Sequence, residues 1–299
     1  MTMNRSVVAG TWYAALAFLI WGLFPLYWIR LATVPAMQLV SHRVVWCTVA
    51  AWLWLLVRGE LGFVRTLSPR GLVLMTLSSL LIGLNWSVYV IAATTGHVVD
   101  TSLGYYITPL VNILFAVFAL KESLNVPQRF AVGLAGLGVV WLAWQFGAPP
   151  WVALTLAVSF ALYGLVHKLA PLAAVEGLAV ESSVLLAPAA GYLLWCEFQG
   201  TGAFLHGGWS QDVLLILGGP VTAVPLALFA AGAQRVPMTL LGVLQYISPT
   251  VALVIGVVLQ GESFGSVRVV GFVLIWVALA VFTLDGWKRY RRARSTQNT

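Results

Sequence analysis

Stretches of about 20 mainly apolar residues, the length that carries a helix across a hydrocarbon core of about 30 Å, recur ten times along the chain, separated by short polar segments. They cover roughly residues 10–29, 37–57, 72–93, 101–120, 128–146, 150–168, 178–196, 212–233, 239–259 and 267–286. Prolines, glycines and tyrosines interrupt the fourth, sixth and ninth runs, whose ends are therefore the least sharply marked. The longest connections are residues 58–71, 197–211 and the tail after Asp285, which leaves no room for a soluble domain. The first run starts too early and is too long for a cleaved signal peptide, so it reads as a membrane helix. The pattern predicts an all-α integral membrane protein of ten transmembrane helices.

One motif occurs twice. Tyr106-Ile107-Thr108-Pro109 followed by Glu122-Ser123 reappears as Tyr246-Ile247-Ser248-Pro249 followed by Glu262-Ser263, every residue displaced by 140. Trp21-Gly22 corresponds to Tyr163-Gly164 at the nearby offset of 142. A chance match does not keep the Glu-Ser pair at the same spacing, so the chain reads as a duplicated unit. Five helices per unit is an odd number, and the second copy must enter the membrane from the opposite side, the inverted repeat of secondary transporters. The expected organisation is a first repeat over 1–147, an inverted second repeat over 148–287, and a basic tail over 288–299.

Composition agrees: 61% of residues are hydrophobic and 8% charged, against about 25% charged in soluble domains. The net charge of +7 reflects orientation rather than nucleic acid, because the cations fall on one side. With the N-terminus in the cytoplasm, the inner segments collect Arg5, Arg58, Arg65, Arg70, Lys121, Arg129, Lys168, Arg235, Lys288, Arg289, Arg291, Arg292 and Arg294. The outer segments keep Arg30 and Arg268, and Arg43 lies within a helix. The positive-inside rule then places both termini in the cytoplasm. Glu122 faces inward and Glu262 outward. Cys47 and Cys196 both sit in apolar runs and give no disulfide framework or zinc site.

Pro109 and Pro249 lie inside helices, lack an N–H, and free the carbonyls of Tyr105 and Gln245. In hydrocarbon such a break is tolerated where protein covers it or a wet cavity adjoins it, so both are expected to point inward; ordinary packing kinks, with Ser or Thr bonding back, are the alternative. Around them stand Asn85, Tyr89, Tyr105, Tyr106, Asn112, Gln245 and Tyr246, polar and aromatic side chains that suit a small amphipathic solute. Taken singly, each could instead be interhelical glue. Ionisable residues at membrane depth are scarcer. Arg43 can bind an anionic group or snorkel outward, His42 can exchange a proton, and Glu181 is a candidate for proton or ion coupling. Its position near the inner end of the seventh helix also fits snorkelling or first-turn stabilisation. His97, Asp100, His206 and Asp212 read as solvated loop or interface residues. No metal-ligand spacing occurs, and no cofactor is expected. The partners expected are membrane lipid and a small-molecule substrate; Gly133, Gly136 and Gly138 suit internal packing or a homodimer.

Ile20-Trp21-Gly22, Val34-Pro35-Ala36, His42-Arg43-Val44-Val45-Trp46, Gly83-Leu84-Asn85-Trp86, Ser102-Leu103-Gly104-Tyr105 and Pro109-Leu110-Val111-Asn112 succeed one another as in the RarD family of bacterial membrane proteins. The pattern continues through Tyr163-Gly164-Leu165-Val166, Val224-Pro225-Leu226, Gln245-Tyr246 and Ile275-Trp276-Val277-Ala278-Leu279-Ala280. The resemblance implies the EamA branch of the drug/metabolite transporter superfamily: ten helices, two inverted five-helix repeats, alternating access, and a bacterial inner-membrane location. It implies no substrate. The position before Leu39, often acidic in that family, is Gln38 here, and His167 replaces a residue that is often basic there.

None of Lys121, Lys168 and Lys288 follows a glycine, so no Walker loop exists and ATP is not the energy source. A secondary transporter of small molecules, working by exchange or an ion gradient, is the expected function; export of a metabolite or drug is the direction that family analogy suggests. A membrane-embedded hydrolase is the competing class, because Gly261-Glu262-Ser263-Phe264-Gly265 spells a nucleophile elbow. That motif needs a strand-to-helix turn above a sheet and a histidine base for Ser263, and here it joins two membrane helices. A membrane scaffold or signalling protein that moves no solute is the third possibility.

Overall fold

The computed structural model describes the backbone over residues 5–94, 98–144, 151–259 and 266–295, and side chains over 6–92, 103–144, 151–258 and 269–285. His97, Glu262 and Ser263 lie outside the described residues, as do the side chains of Asp100 and the basic tail. Each apolar run forms a helix. The order is α1 (Arg5–Gly22), α2 (Ala36–Arg58), α3 (Pro69–Thr94), α4 (Val98–Phe118), α5 (Val126–Trp144), α6 (Trp151–Leu169), α7 (Ala174–Phe198), α8 (Trp209–Ala233), α9 in two segments (Met238–Gln245 and Ile247–Leu259) and α10 (Ser266–Ser295). A short helix, Phe24–Trp28, and a 3-10 turn, Ile29–Leu31, extend α1. Among the described residues, eight spans are long and apolar enough to cross a membrane, while α4 and α10 are apolar over the shorter stretches Leu103–Phe118 and Val269–Asp285. The chain is an all-α, multi-pass membrane protein.

Local chemistry explains where these helices begin and end. α2 begins after Pro35, its N-cap residue, and stops at Gly59, whose φ of 68° is left-handed and lets Glu60 N–H reach back to the Leu55 carbonyl. At the start of α5, Asn125 and Gln128 bond reciprocally: the Asn125 side-chain Oδ1 accepts from the Gln128 backbone N–H at 2.9 Å, and the Gln128 side-chain Oε1 accepts from the Asn125 backbone N–H at 3.1 Å. The start of α9 is capped from another helix hairpin. Glu122 accepts from Met238 N–H at 2.7 Å, Thr239 N–H at 3.0 Å and the Thr239 hydroxyl at 2.7 Å, placing a carboxylate on the positive end of the helix.

The 140-residue repeat is a repeat of helices. α3 and α8 start at Pro69 and Trp209, 140 residues apart, and the matched prolines, Pro109 and Pro249, lie within α4 and α9. Equivalent helices pack on one another, α2 on α7, α4 on α9 and α5 on α10. The others pack in exchanged pairs: α1 lies against α8 as α6 lies against α3, and α1 against α9 as α6 against α4. This is what a two-fold relation between the copies produces. In lipid such pairs hold together by close backbone approach. A side-chain carbon added at Gly138 would stand 2.9 Å from the Gly271 carbonyl oxygen, so Gly138 serves the α5–α10 contact; one added at Gly133 or Gly136 would meet nothing within 4 Å.

The two prolines behave differently. α4 runs through Pro109 as one helix, and the Thr108 hydroxyl bonds back to the Gly104 carbonyl at 2.6 Å. α9 is interrupted at Tyr246, three residues before Pro249, and the Thr250 hydroxyl donates to the Tyr246 carbonyl at 2.8 Å. Back-bonding Thr side chains thus attend both kinks.

Candidate functional site

Where the two halves meet, the helices leave a cavity of about 240 Å³. Phe18 and Trp21 of α1 line it, with Phe24, Pro25 and Trp28 of the short helix and Arg43 of α2. α3 contributes Ile82, Asn85, Trp86 and Tyr89, one face of a helix at spacings of three and four; α4 contributes Gly104, Tyr105 and Thr108. Leu156 and Phe160 of α6, Leu226 of α8, and Gln245, Ser248, Pro249 and Ala252 of α9 close it. Both repeats therefore build one chamber, as expected of an inverted-repeat transporter.

Arg43 is the charged group of this chamber. Its guanidinium carbon lies 4.5 Å from the Trp86 ring centroid, 5.1 Å from Trp28 and 5.7 Å from Phe24, within cation–π range of all three. Its Nε donates to the Thr222 hydroxyl at 2.9 Å. Among the described residues no carboxylate lies within 4.0 Å of it. Arg43 does not snorkel outward; it is held by aromatic faces and one hydroxyl with donors left over.

The other polar residues divide between wall and support. Asn85 lines the cavity and also ties α3 to α6, its amide donating to the Leu156 carbonyl and the Ser159 hydroxyl, both at 2.9 Å. Tyr89 and Tyr105 line it with ring centroids 6.4 Å apart. Gln245 lines it as well and accepts from the Asn112 amide at 2.6 Å. Asn112, fully buried, stands behind this wall and leaves its own oxygen without a hydrogen-bond partner. The tyrosines of the repeated motif also stand behind it. Tyr106 packs edge-on against Phe272 with centroids 5.0 Å apart, and Tyr246 donates to the Tyr106 carbonyl at 3.3 Å. Pro249 borders the cavity; Pro109 does not, and its carbonyl oxygen would lie 2.8 Å from a side-chain carbon added at Gly242.

His42 faces away from the cavity, its ring 5.5 Å from Phe204 of the α7–α8 loop and its Nδ1 buried without a hydrogen bond. Gln38, one helical turn earlier, clamps the same loop: its amide donates to the Thr201 carbonyl and its oxygen accepts from Ala203 N–H, both at 2.8 Å. A carboxylate at position 38 could make the second bond but not the first. Asp212 is buried rather than solvated and accepts from Leu205 N–H at 2.8 Å, while His206 is exposed and pairs with Glu197.

Glu181 departs most from expectation. It lies beyond the first turn of α7 and is 2% exposed, so it neither snorkels nor stabilises the helix start. Its Oε2 lies 3.0 Å from His167 Nε2 of α6 and accepts from the Ser78 hydroxyl of α3 at 3.2 Å. The Ser78 hydroxyl is also 3.2 Å from the imidazole, and the Ser79 hydroxyl donates to the Glu181 carbonyl at 2.7 Å. His167 and Ser78 carry no motif, and nothing in the sequence marks the indoles of Trp28 and Trp86 as neighbours of Arg43. The available signals were Tyr163 and His167 at i and i+4, and an adjacent serine pair inside an otherwise apolar run.

The EamA-like transporter family model matches this chain over residues 8–144 and again over 149–284. The chain is 43% identical over 288 residues to "Uncharacterized transporter YojE" of Bacillus subtilis, covering 94% of this chain and 96% of that one. It is 38% identical over 285 residues to "Protein RarD" of Escherichia coli, covering 95% and 96%, and 41% identical over 288 residues to "Protein RarD" of Streptomyces exfoliatus, covering 96% and 91%. A crystal structure at 22% identity superposes with a TM-score of 0.71 over 94% of this chain and 98% of that one, a likeness of fold alone. With two family units in tandem and RarD relatives matched over nearly their whole length, the chain belongs to the EamA-like transporter family, in its RarD branch.

Proposed function

We propose that this chain is a secondary transporter for a small organic anion, a solute carrying a carboxylate or similar group on an apolar or aromatic body. The observation that carries the reading is Arg43: a guanidinium facing the chamber between the two repeats, without a carboxylate partner among the described residues and backed by Trp28 and Trp86. A planar fork with unspent donors is suited to bidentate binding of a carboxylate. Indole, phenol and phenyl faces supply apolar area, and Asn85, Ser248 and Gln245 supply orienting polar groups. Rocking of one repeat against the other around this chamber would expose it alternately to the two sides, driven by exchange or an ion gradient. The preferred arrangement is in the bacterial inner membrane with both termini cytoplasmic, on the distribution of Lys and Arg, and export is the direction suggested by family analogy.

The test is flux in proteoliposomes against benzoate, amino acids, nucleobases, quaternary amines and antibiotics, with and without a pH gradient. Carboxylates should be transported and matched quaternary amines should not. Asn85→Ala and Gln245→Ala should slow flux while the protein elutes as the wild type does. Transport of amines in preference to carboxylates, or wild-type rates in both variants, would remove the chamber assignment; no flux of any solute would favour a scaffold.

A further inference from the structure

We infer that His167 and Glu181 form a proton-binding site whose occupancy is coupled to opening of the α3–α6–α7 seam, and that it is the repeat-related counterpart of Arg43. The inference deepens the transport reading above and rests on it for the coupling, though not for the proton site itself.

Geometry establishes the site. Glu181 and His167 are each 2% exposed, and their Oε2 and Nε2 are 3.0 Å apart. Two lone pairs at that distance repel, so the contact holds a hydrogen, which a neutral imidazole can supply through its Nε2–H; one further proton shared by carboxylate and imidazole makes the closed pair neutral. Ser78 steadies both groups. The remaining groups that face the pair are the Tyr163 phenol of α6, which lies beside the carboxylate and makes no hydrogen bond of ordinary geometry, and the Cys47 thiol of α2. α8 presents the apolar Phe229. No cation stands against Glu181 among the described residues except His167. Removing the shared proton leaves one net negative charge, and adding a second leaves one net positive charge, each without compensation at membrane depth. The closed packing therefore tolerates one proton count. Exchange with bulk water requires α7 to part from α3 and α6, and a proton that favours one packing shifts the population toward it.

Two further observations link this site to the chamber. Ser78 lies on the face of α3 that continues through Ile82, Asn85 and Tyr89, and His167 and Tyr163 lie on the face of α6 that continues to Phe160. Seven residues of helix separate Ser78 from Asn85, about 10 Å along the axis. Glu181 also stands seven residues after Ala174, where α7 begins, as Arg43 stands seven after Ala36, where α2 begins. The duplication thus places one ionisable side chain at the same position of each repeat, a cation open to the chamber and an acid paired beneath it.

The experiment uses the full chain in lipid. Infrared difference spectra across a pH titration should show a carboxyl band that is lost in Glu181→Gln, survives in Glu122→Gln, and moves its midpoint by more than about one pH unit, tenfold in proton activity, in His167→Gln. A band unchanged by Glu181→Gln, or a midpoint unmoved by His167→Gln, would make the pair a static strut and overturn the inference. In liposomes, Glu181→Gln should keep benzoate exchange between equal pH compartments and lose its accumulation under a pH gradient; undiminished accumulation would overturn the coupling. Ser78→Ala, which keeps both titrating groups, should shift the midpoint in the same direction in every preparation that folds, and an unmoved midpoint counts against the site. Absence of benzoate exchange in the wild type would remove the anion-transport reading, with the infrared arm still deciding the proton site.

Discussion

Replacing Arg43 with methionine separates a binding role from a structural one, because the two predict opposite effects on stability. Without ligand, the wild type holds a guanidinium among three aromatic rings with one hydroxyl partner and, among the described residues, no carboxylate. Losing the bond to Thr222 costs about 1.5–3 kcal/mol, and losing the cation–π contacts about 0.5–2 kcal/mol. Against that, desolvating an ion costs several kcal/mol, and apolar replacement of a buried charge is often neutral or stabilising by about 1–4 kcal/mol. Arg43→Met should therefore unfold within about 1 kcal/mol of the wild type or above it. Ligand binding should respond the other way. A charge-assisted contact worth about 1.5–3 kcal/mol corresponds to roughly a tenfold to hundredfold weaker Kd. At a benzoate concentration of about 100 Kd the wild type gains about 2.7 kcal/mol, and a tenfold to hundredfold weaker variant retains only about 1.4 to 0.4 kcal/mol. Scanning fluorimetry on the 14 tryptophans, with and without benzoate, reads both quantities. A methionine variant that loses more than about 2 kcal/mol unliganded, yet keeps the full benzoate shift, would refute the binding role.

Three more outcomes follow from contacts outside the chamber. Glu122→Ala removes the cap of α9 and should lower stability by about 1–2 kcal/mol, seen as a lower Tm and faster hydrogen exchange at Met238 and Thr239; unchanged exchange there would contradict the cap. Gln38→Glu leaves the Thr201 carbonyl without its donor and should cost about 1–3 kcal/mol, with faster proteolysis confined to the loop over 199–208. Gly219→Leu drives a side chain into the Trp46 backbone where α8 crosses α2 and should abolish folded yield, whereas Gly133→Ala, with open space around it, should not; equal yields would show that the α2–α8 contact is looser than described.

The helices were legible because membrane insertion leaves a signal in every residue of a span, and the repeat was legible because paired prolines and a Glu-Ser pair kept their spacing. Glu122 shows the limit. Its repetition marked it, but only packing reveals that it caps α9, 116 residues away. Asn85, Tyr89, Tyr105, Gln245 and Arg43 could be grouped by polarity, yet polarity alone does not distinguish the side of a wall, and Asn112, Tyr106 and Tyr246 stand behind it. A rotation of one residue about a helix, about 100° at 3.6 residues per turn, decides between facing a solute and facing a neighbouring helix. The same rotation separates His42, turned to the Phe204 loop, from Arg43 in the chamber. Trp28 and Trp86 were invisible as ligands for the same reason: in an apolar chain an indole is unremarkable until a cation is found beside it.

The His167–Glu181 pair was hidden for a different reason, and that reason bears on how such a fold specialises. Its members lie 14 residues apart on consecutive helices, a separation that no motif spans, and His167 and its partner Ser78 each have an apolar or small residue at the related position of the other repeat. Under the 142-residue offset that relates Trp21 to Tyr163, His167 corresponds to Pro25, a residue of the chamber wall. Under the 140-residue offset that relates α3 to α8, Ser78 corresponds to Gly218, where an added side-chain carbon would meet the Tyr27 hydroxyl and Arg43. The backbone frame around Arg43 and the frame around Glu181 are thus the same frame, filled with small residues and aromatic rings in one copy and with hydroxyl and imidazole in the other. Inversion puts the two frames at mirrored depths. A charge that must meet a solute needs unspent donors and room, which glycine and the rings provide. A charge that must hold one proton needs partners on the oxygen that carries it, which Ser78 and His167 provide.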